Sequence, residues 1–125
     1  MAAGDIAYEY SFFLLPVSKT AAANITKGQL VDLDGGDPAD SGDYGPFGIA
    51  IDDIAANEDM KGKVLIKGVA YATAGGAISA LTYVKAGTDG KVVDFVEGTD
   101  TEALIAGVAL EAASGDGDVI KIMLL

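Results

Sequence analysis

Short hydrophobic runs alternate with glycine-rich polar segments along the whole chain. No window long enough for a helix keeps apolar residues at the i, i+3, i+4, i+7 spacing without interruption. The pattern predicts an all-β fold, either a small β-barrel or a β-sandwich of short strands. The predicted strands span residues 28–33, 48–51, 64–72, 81–85, 91–96, 105–110 and 119–125.

Two tight turns are expected between neighbouring strands in the second half of the chain. In the segment 86–91, Asp89 and Gly90 are residue types that accept positive φ, which the tight turn of a hairpin requires. The glycine- and aspartate-rich segment 114–118 separates two further apolar runs. Both segments therefore predict antiparallel hairpins.

A weak internal repeat relates the two halves of the sequence. Gly48-Ile49-Ala50-Ile51 and Gly107-Val108-Ala109-Leu110 are each followed by an acidic residue, a polar turn and an apolar strand. Each copy is also preceded by a predicted strand. Two related units packed face to face would close one barrel-like core. The alternative is a chance similarity, which a β domain rich in glycine and alanine readily produces.

The chain divides into an extended N-terminal arm, residues 1–20, and a β-rich domain, residues 21–125, with an acidic loop at 34–46. Aromatic residues at alternate positions of the arm would share one face of an extended strand and form a contact surface for a partner or another protomer. The alternative is that the segment is the first strand of the domain's own sheet. The candidate contact residues are Tyr8, Tyr10, Phe12, Phe13 and Leu14.

The charge of the chain argues against several classes of partner. The net charge is −11, and all eight cationic residues are lysines. Such a field repels phosphate backbones and anionic lipid surfaces, and the chain lacks the arginine fork that commonly reads phosphates and bases. We therefore expect no nucleic-acid partner and no membrane partner. The apolar run at 12–17 is too short to span a bilayer and lacks the basic flank of a signal peptide.

The sequence offers little for catalysis or for a cofactor. It contains no cysteine and no histidine, which removes thiolate chemistry, the commonest general base and the usual transition-metal ligands. We expect no enzyme activity and no metal or cofactor. One alternative stays open: a small β-sandwich module that binds calcium or carbohydrate through loop 34–46. The aspartates in and beside this loop do not match the EF-hand spacing.

The order of motifs resembles the phage capsid cement proteins, also called head decoration proteins. The similarity covers residues 24–125, and its motifs consist of common residue types. It includes an opening strand, a Gly-apolar-Ala strand, a Gly-x-apolar-apolar-apolar-x-Gly-Val strand, a second Gly-apolar-Ala strand and a final hydrophobic strand. These elements lie at residues 25–33, 48–55, 62–70, 106–113 and 117–122.

The resemblance implies a non-enzymatic virion structural protein without a cofactor. Such a protein would be made in the host cytoplasm, would bind the major capsid protein on the outer surface of an icosahedral phage head as a homotrimer, and would stabilise the head. The long aromatic N-terminal segment and the large acidic loop depart from the family pattern, so neither takes a role from it residue by residue.

Overall fold

The computed structural model describes residues 1–125 and confirms the all-β class. Ten short strands and two single-turn 3₁₀ helices make up its regular structure, and no helix is long and apolar enough to cross a membrane. The strands are β1 (Phe13–Leu14), β2 (Leu30–Asp32), β3 (Asp37–Pro38), β4 (Phe47–Ala50), β5 (Val64–Lys67), β6 (Val69–Thr73), β7 (Thr82–Ala86), β8 (Val92–Asp94), β9 (Ile105–Ala109) and β10 (Val119–Leu124). The 3₁₀ helices span Thr88–Gly90 and Glu102–Leu104.

The strands form two antiparallel sheets of five strands each. Sheet 1 has the order β1-β5-β4-β2-β3, and sheet 2 has the order β6-β10-β9-β7-β8. Adding five to each strand number of sheet 1 gives the order of sheet 2. The first half of the chain thus builds one sheet and the second half builds the other with the same topology, in agreement with the internal repeat.

Hydrogen bonds outside the strands repeat as well. The Gly28 amide donates to the Ala50 carbonyl at 2.8 Å, and the Leu81 amide donates to the Ala109 carbonyl at 2.7 Å. Isolated bridges join Ile25 to Ile54 in the first half and Ile78 to Ala113 in the second. The repeat therefore extends from the strands into the connections that cover them.

Sheet 1 is apolar on both faces, and different parts of the chain cover each face. Leu30, Ile49 and Leu65 belong to a cluster of 17 buried residues that also includes residues of sheet 2. On the opposite face, Val31 and Val64 belong to a smaller cluster of eight buried residues that includes loop residues of the first half. The larger cluster fixes the two sheets against each other by removing apolar surface from water.

The structure differs from the predicted strands at Gly68. The apolar pattern predicts one strand over 64–72, whereas β5 ends at Lys67 in sheet 1 and β6 begins at Val69 in sheet 2. Gly68 has a φ of +124°, a conformation that residues with a Cβ rarely adopt, and it carries the chain from one sheet to the other.

Both predicted hairpins form, and the acidic loop contributes a strand to sheet 1. Both predicted hairpins are confirmed, because β7 pairs with β8 and β9 pairs with β10, each antiparallel. The acidic loop contains the short strand β3, which pairs with β2, and Ala39 just after it is fully buried. Part of loop 34–46 therefore packs as an edge of sheet 1.

The N-terminal segment runs beside both sheets. Residues 4–7 pair with β6: the Gly4 amide donates to Tyr71 at 2.7 Å, the Tyr71 amide to Asp5 at 3.0 Å, and the Ala7 amide to Val69 at 2.9 Å. Strand β1 then pairs with β5. Residues 4–7 and 13–14 thus cover the open edges of β6 and β5, and the description of residues 1–20 as an arm separate from the domain stays a prediction.

Candidate functional site

Most of the aromatic side chains chosen from the sequence lie on the surface of the N-terminal segment. Tyr8 is 72% exposed and Phe13 is 66% exposed, with Tyr10 and Phe12 exposed to a smaller extent. Leu14 differs, because it is partly buried and packs against the larger core cluster. Leu14 therefore fixes the segment to the domain, while the four rings beside it are available to a partner.

The rings do not meet through simple alternation along a strand. The Tyr10 amide donates to the Ala7 carbonyl at 3.2 Å and closes a turn that interrupts the extended course of the segment. After this turn, the Tyr8 and Phe12 rings pack edge to face, with centroids 5.5 Å apart and an interplanar angle of 85°. Such pairs are stabilised by the ring quadrupoles, so each ring restrains the other on the surface.

Gly68 allows the aromatic segment to approach the junction of the sheets. A Cβ at this position would lie 2.8 Å from the Cβ of Phe12 and 2.9 Å from the carbonyl oxygen of Ser11. The same glycine therefore connects the two sheets and makes room for the backbone that carries Phe12.

An open groove beside the aromatic segment is lined by both charged and apolar residues. Its lining includes Asp5 and Lys27, whose carboxylate and ammonium groups are 2.9 Å apart. The hydrogen bond from Lys27 lowers the pKa of Asp5, and the same bond raises the pKa of Lys27. Lys121 also lines the groove and lies 5.9 Å from the Tyr71 ring centroid, and Tyr71 is the first cause of its raised pKa. Both lysines thus remain charged at neutral pH.

The acidic loop does not gather its carboxylates into a metal cage. Burial is the first cause that raises the pKa of Asp37, and the nearby charges of Asp32, Asp43 and Asp40 raise it further. No group of three or more carboxylates in the chain is placed to hold one ion. Asp40 and Asp43 instead belong to a local turn, in which Asp43 accepts from the Asp40 amide at 2.9 Å.

The polar side chains of the chain lie at the surface or are only partly buried. No polar or charged residue is buried, and no buried side-chain nitrogen or oxygen lacks a hydrogen-bond partner. The chemically distinctive feature is therefore a cluster of exposed aromatic rings on a two-sheet scaffold. This arrangement defines a small β-structural domain with a surface suited to contacts with another protein.

Comparison with known proteins assigns this domain to a family. The chain belongs to the phage cement protein family, whose model matches residues 14–124. Membership makes it a capsid structural protein of a phage virion. Residues 1–13, which carry Tyr8 and Phe12, precede the matched region, so the family match does not assign them a role.

A solved structure has a similar fold. The chain resembles the N base of the head fibre protein gp8.5 of bacteriophage phi29, with a TM-score of 0.65 over 93% of this chain and 94% of that chain. The two sequences are 18% identical, so the similarity is one of fold. No curated protein matches the sequence.

Proposed function

We propose that the protein is a non-enzymatic decoration protein that binds the major capsid protein on the outside of an icosahedral phage head and stabilises the head as a homotrimer. It would be made in the host cytoplasm and join the head there. Family membership supports the capsid as its place of action. The observation that carries the contact is the exposed aromatic cluster of the N-terminal segment.

The cluster has the properties of a binding hot spot. Tyr8, Phe12 and Phe13 offer large apolar area with few rotatable bonds, so their burial gains free energy at a small cost in side-chain entropy. Pairing of residues 4–7 with β6 holds the backbone in place before docking. A preordered contact surface loses less entropy on binding than a flexible tail would.

Stabilisation of the head follows from mass action. A ligand that binds only the intact shell adds about 2.7 kcal/mol per site when its free concentration is about 100 times its Kd. Many sites on one head make the total large even when each contact is modest. No catalytic group and no cofactor are needed for this activity.

Binding to expanded heads that lack the protein tests the proposal. Tyr8→Ala and Phe13→Ala should each weaken binding about tenfold or more, because truncating a central aromatic side chain commonly costs more than about 1.4 kcal/mol. Tyr44→Ala is the matched control, since Tyr44 is 64% exposed but lies in the acidic loop. Failure of the unmodified protein to bind heads, or binding by both arm variants at its affinity, would contradict the proposal.

A further inference from the structure

The dipeptide Asp-Gly occurs three times in the chain, at residues 34–35, 89–90 and 116–117. In this sequence the main-chain nitrogen of the glycine attacks the side-chain carboxyl carbon of the aspartate and closes a succinimide ring. Glycine permits the attack because it has no Cβ to hinder it. In a folded protein the rate depends on whether the attacking nitrogen is free, so the fold selects among the three dipeptides.

Two of the three glycine amides are held by hydrogen bonds. The Gly90 amide donates to the Ala39 carbonyl at 2.8 Å, and the Gly117 amide donates to the Ala74 carbonyl at 2.9 Å. Gly90 is also buried. Each bond engages the N–H whose proton must be lost, so ring closure requires the bond to break. The fold therefore protects these two dipeptides.

The first dipeptide lies in a different environment. Asp34 and Gly35 are both exposed in the turn 33–36 between β2 and β3, and the Gly35 amide makes no backbone hydrogen bond. The turn is closed instead by the next residue, because the Gly36 amide donates to the Asp32 carbonyl at 2.8 Å. The nitrogen of Gly35 is therefore free to attack.

A lysine side chain favours the reaction at this dipeptide. The Lys19 ammonium group donates to the Asp34 carbonyl oxygen at 2.9 Å, and this carbonyl belongs to the peptide bond that contains the Gly35 nitrogen. Loss of the amide proton spreads negative charge onto that oxygen by resonance, and a cation in direct contact stabilises the charge. Lys19 therefore increases the fraction of the Gly35 nitrogen that is in the reactive, deprotonated form.

Two carboxylates beside the turn act in the opposite direction. A Cβ on Gly35 would lie 2.6 Å from Oδ1 of Asp37 and 3.2 Å from Oδ2 of Asp32. Their negative charge opposes that of the deprotonated amide. Lys19 offsets this repulsion, because it bonds to the oxygen on which the charge develops. Removal of the Lys19 ammonium group should therefore slow the reaction at this dipeptide.

We propose that Asp34 is a site of spontaneous isomerisation to isoaspartate, selected by the free Gly35 amide and promoted by Lys19. In the first step the bond between the Gly35 nitrogen and the Asp34 carboxyl carbon forms. The C–OH bond of the protonated carboxyl group breaks, and the hydroxyl leaves with the amide proton as water. In the second step water adds to one of the two succinimide carbonyls and breaks its bond to nitrogen. Opening at the former main-chain carbonyl gives isoaspartate, and opening at the other carbonyl restores aspartate.

Isomerisation alters the edge of sheet 1. It routes the main chain through the Asp34 side chain, which adds one carbon to the turn between β2 and β3, and it leaves a new carboxylate beside the Lys19 ammonium group. Next to β3, Ala39 is fully buried and its carbonyl accepts the Gly90 amide. A longer turn loosens the pairing of β3 and this contact with the second half of the chain. The product is covalent, so it accumulates with the age of the protein.

Incubation of the folded full chain in water enriched in a heavy oxygen isotope tests this inference, because each succinimide takes up one solvent oxygen when it opens. Peptide mass mapping, with fragmentation to locate the oxygen, then gives the rate at each dipeptide. Asp34 should react about tenfold faster or more than Asp89 and Asp116, the factor expected when a hydrogen bond must first break. In concentrated urea the three rates should become similar, and an isoaspartyl methyltransferase should label Asp34 first in the folded protein.

Lys19→Met separates the effect of the lysine from that of the free amide. The substitution removes the ammonium group but keeps a side chain of similar shape, and it should slow the reaction at Asp34 about tenfold, the usual strength of a charge-assisted hydrogen bond. The rates at Asp89 and Asp116 should stay the same. Lys61→Met is the matched control, because Lys61 is exposed and lies outside the turn. Thermal melts would establish that both variants fold.

The possible results are independent of the proposed function, since none of them involves binding to phage heads. Equal rates at the three dipeptides of the folded protein would overturn the inference, as would a faster reaction at Asp89 or Asp116. A rate at Asp34 that is the same in Lys19→Met and Lys61→Met would overturn the role of the lysine. A rate at Asp34 that exceeds the other two and falls only in Lys19→Met would support the whole inference.

Discussion

Gly48 and Gly107 occupy the same structural position in the two halves of the chain. A Cβ on Gly48 would lie 2.7 Å from the carbonyl oxygen of Leu65, and a Cβ on Gly107 would overlap the carbonyl oxygen of Met123. Leu65 and Met123 are themselves equivalent residues of β5 and β10. Gly48 therefore allows β4 and β5 to approach closely, and Gly107 does the same for β9 and β10.

Alanine at either glycine should destabilise the protein. At both positions a backbone oxygen held in a sheet is in the way, and it cannot move aside as a flexible side chain could; at Gly48 the Val64 side chain would also be overlapped. We expect Gly48→Ala and Gly107→Ala each to lower the free energy of unfolding by about 1–3 kcal/mol, the usual cost of overpacking. Urea denaturation measures this change. Gly115→Ala is the control, because a Cβ at that position would have no atom within 4 Å, and equal stability of all three variants would contradict the assignment.

The sequence predicts the repeated parts of the fold well, because they depend on local chemistry. The Gly-apolar-Ala strands and both hairpins follow from residue types that accept close approach or positive φ. The strands β1 and β3 have two residues each and form only because a partner strand lies beside them, so no local pattern could predict them. The division at Gly68 also escapes prediction, since apolar residues continue on both sides of it.

Part of the candidate site is also predictable, because it depends on residue types that are close together in the sequence. Exposed rings at positions 8, 10, 12 and 13 can be chosen from the sequence, because aromatic residues concentrate there. The burial of Leu14 depends on where β1 pairs, which the sequence does not state.

Leu81 and Gly28 are equivalent residues that respond differently to substitution. Both have positive φ, +61° for Leu81 and +94° for Gly28. Leucine in this region is strained, so Leu81→Gly should raise the free energy of unfolding or leave it within about 1 kcal/mol. Gly28→Ala should lower it, because a Cβ there would lie 2.7 Å from the backbone carbon of Ala3. Thermal melts of both variants measure the difference, and a large loss of stability in Leu81→Gly would contradict this account.

The ion pair between Lys85 and Asp100 should make stability depend on pH. The hydrogen bond from Lys85, followed by that from the Val96 amide, lowers the pKa of Asp100 below its ordinary value. The pair therefore stabilises the fold above the unfolded-state pKa of about 3.9, and this contribution is lost as pH falls through the folded-state pKa. Asp100→Asn should lower the melting temperature at pH 7, with a difference that shrinks in acid. Asp116→Asn, which removes an exposed pair with Lys91, should have little effect at either pH.

Asp37 should make stability depend on pH in the direction opposite to Asp100. Its pKa is raised by burial and by neighbouring aspartates, so ionisation of Asp37 costs stability as pH rises through the unfolded-state pKa toward the folded-state value. Asp37→Asn should therefore raise the melting temperature at pH 7 and have no effect well below pH 3. Asp34→Asn in the same loop is the control. A lower melting temperature for Asp37→Asn at pH 7 would show that the carboxylate stabilises this edge.

Removal of residues 1–9 tests whether the N-terminal segment is part of the folded domain. The deletion removes three backbone hydrogen bonds to β6 and the buried Ala7 side chain. At about 1 kcal/mol for each net hydrogen bond, we expect a loss of about 1–3 kcal/mol in the free energy of unfolding. Hydrogen exchange at the Tyr71 amide, which donates to Asp5, should accelerate most, whereas the Ile54 amide, bonded to Ile25 at 2.8 Å, should exchange as before. Unchanged stability together with unchanged exchange at Tyr71 would mean that the segment is an independent arm, and the aromatic cluster would then become ordered only on the capsid.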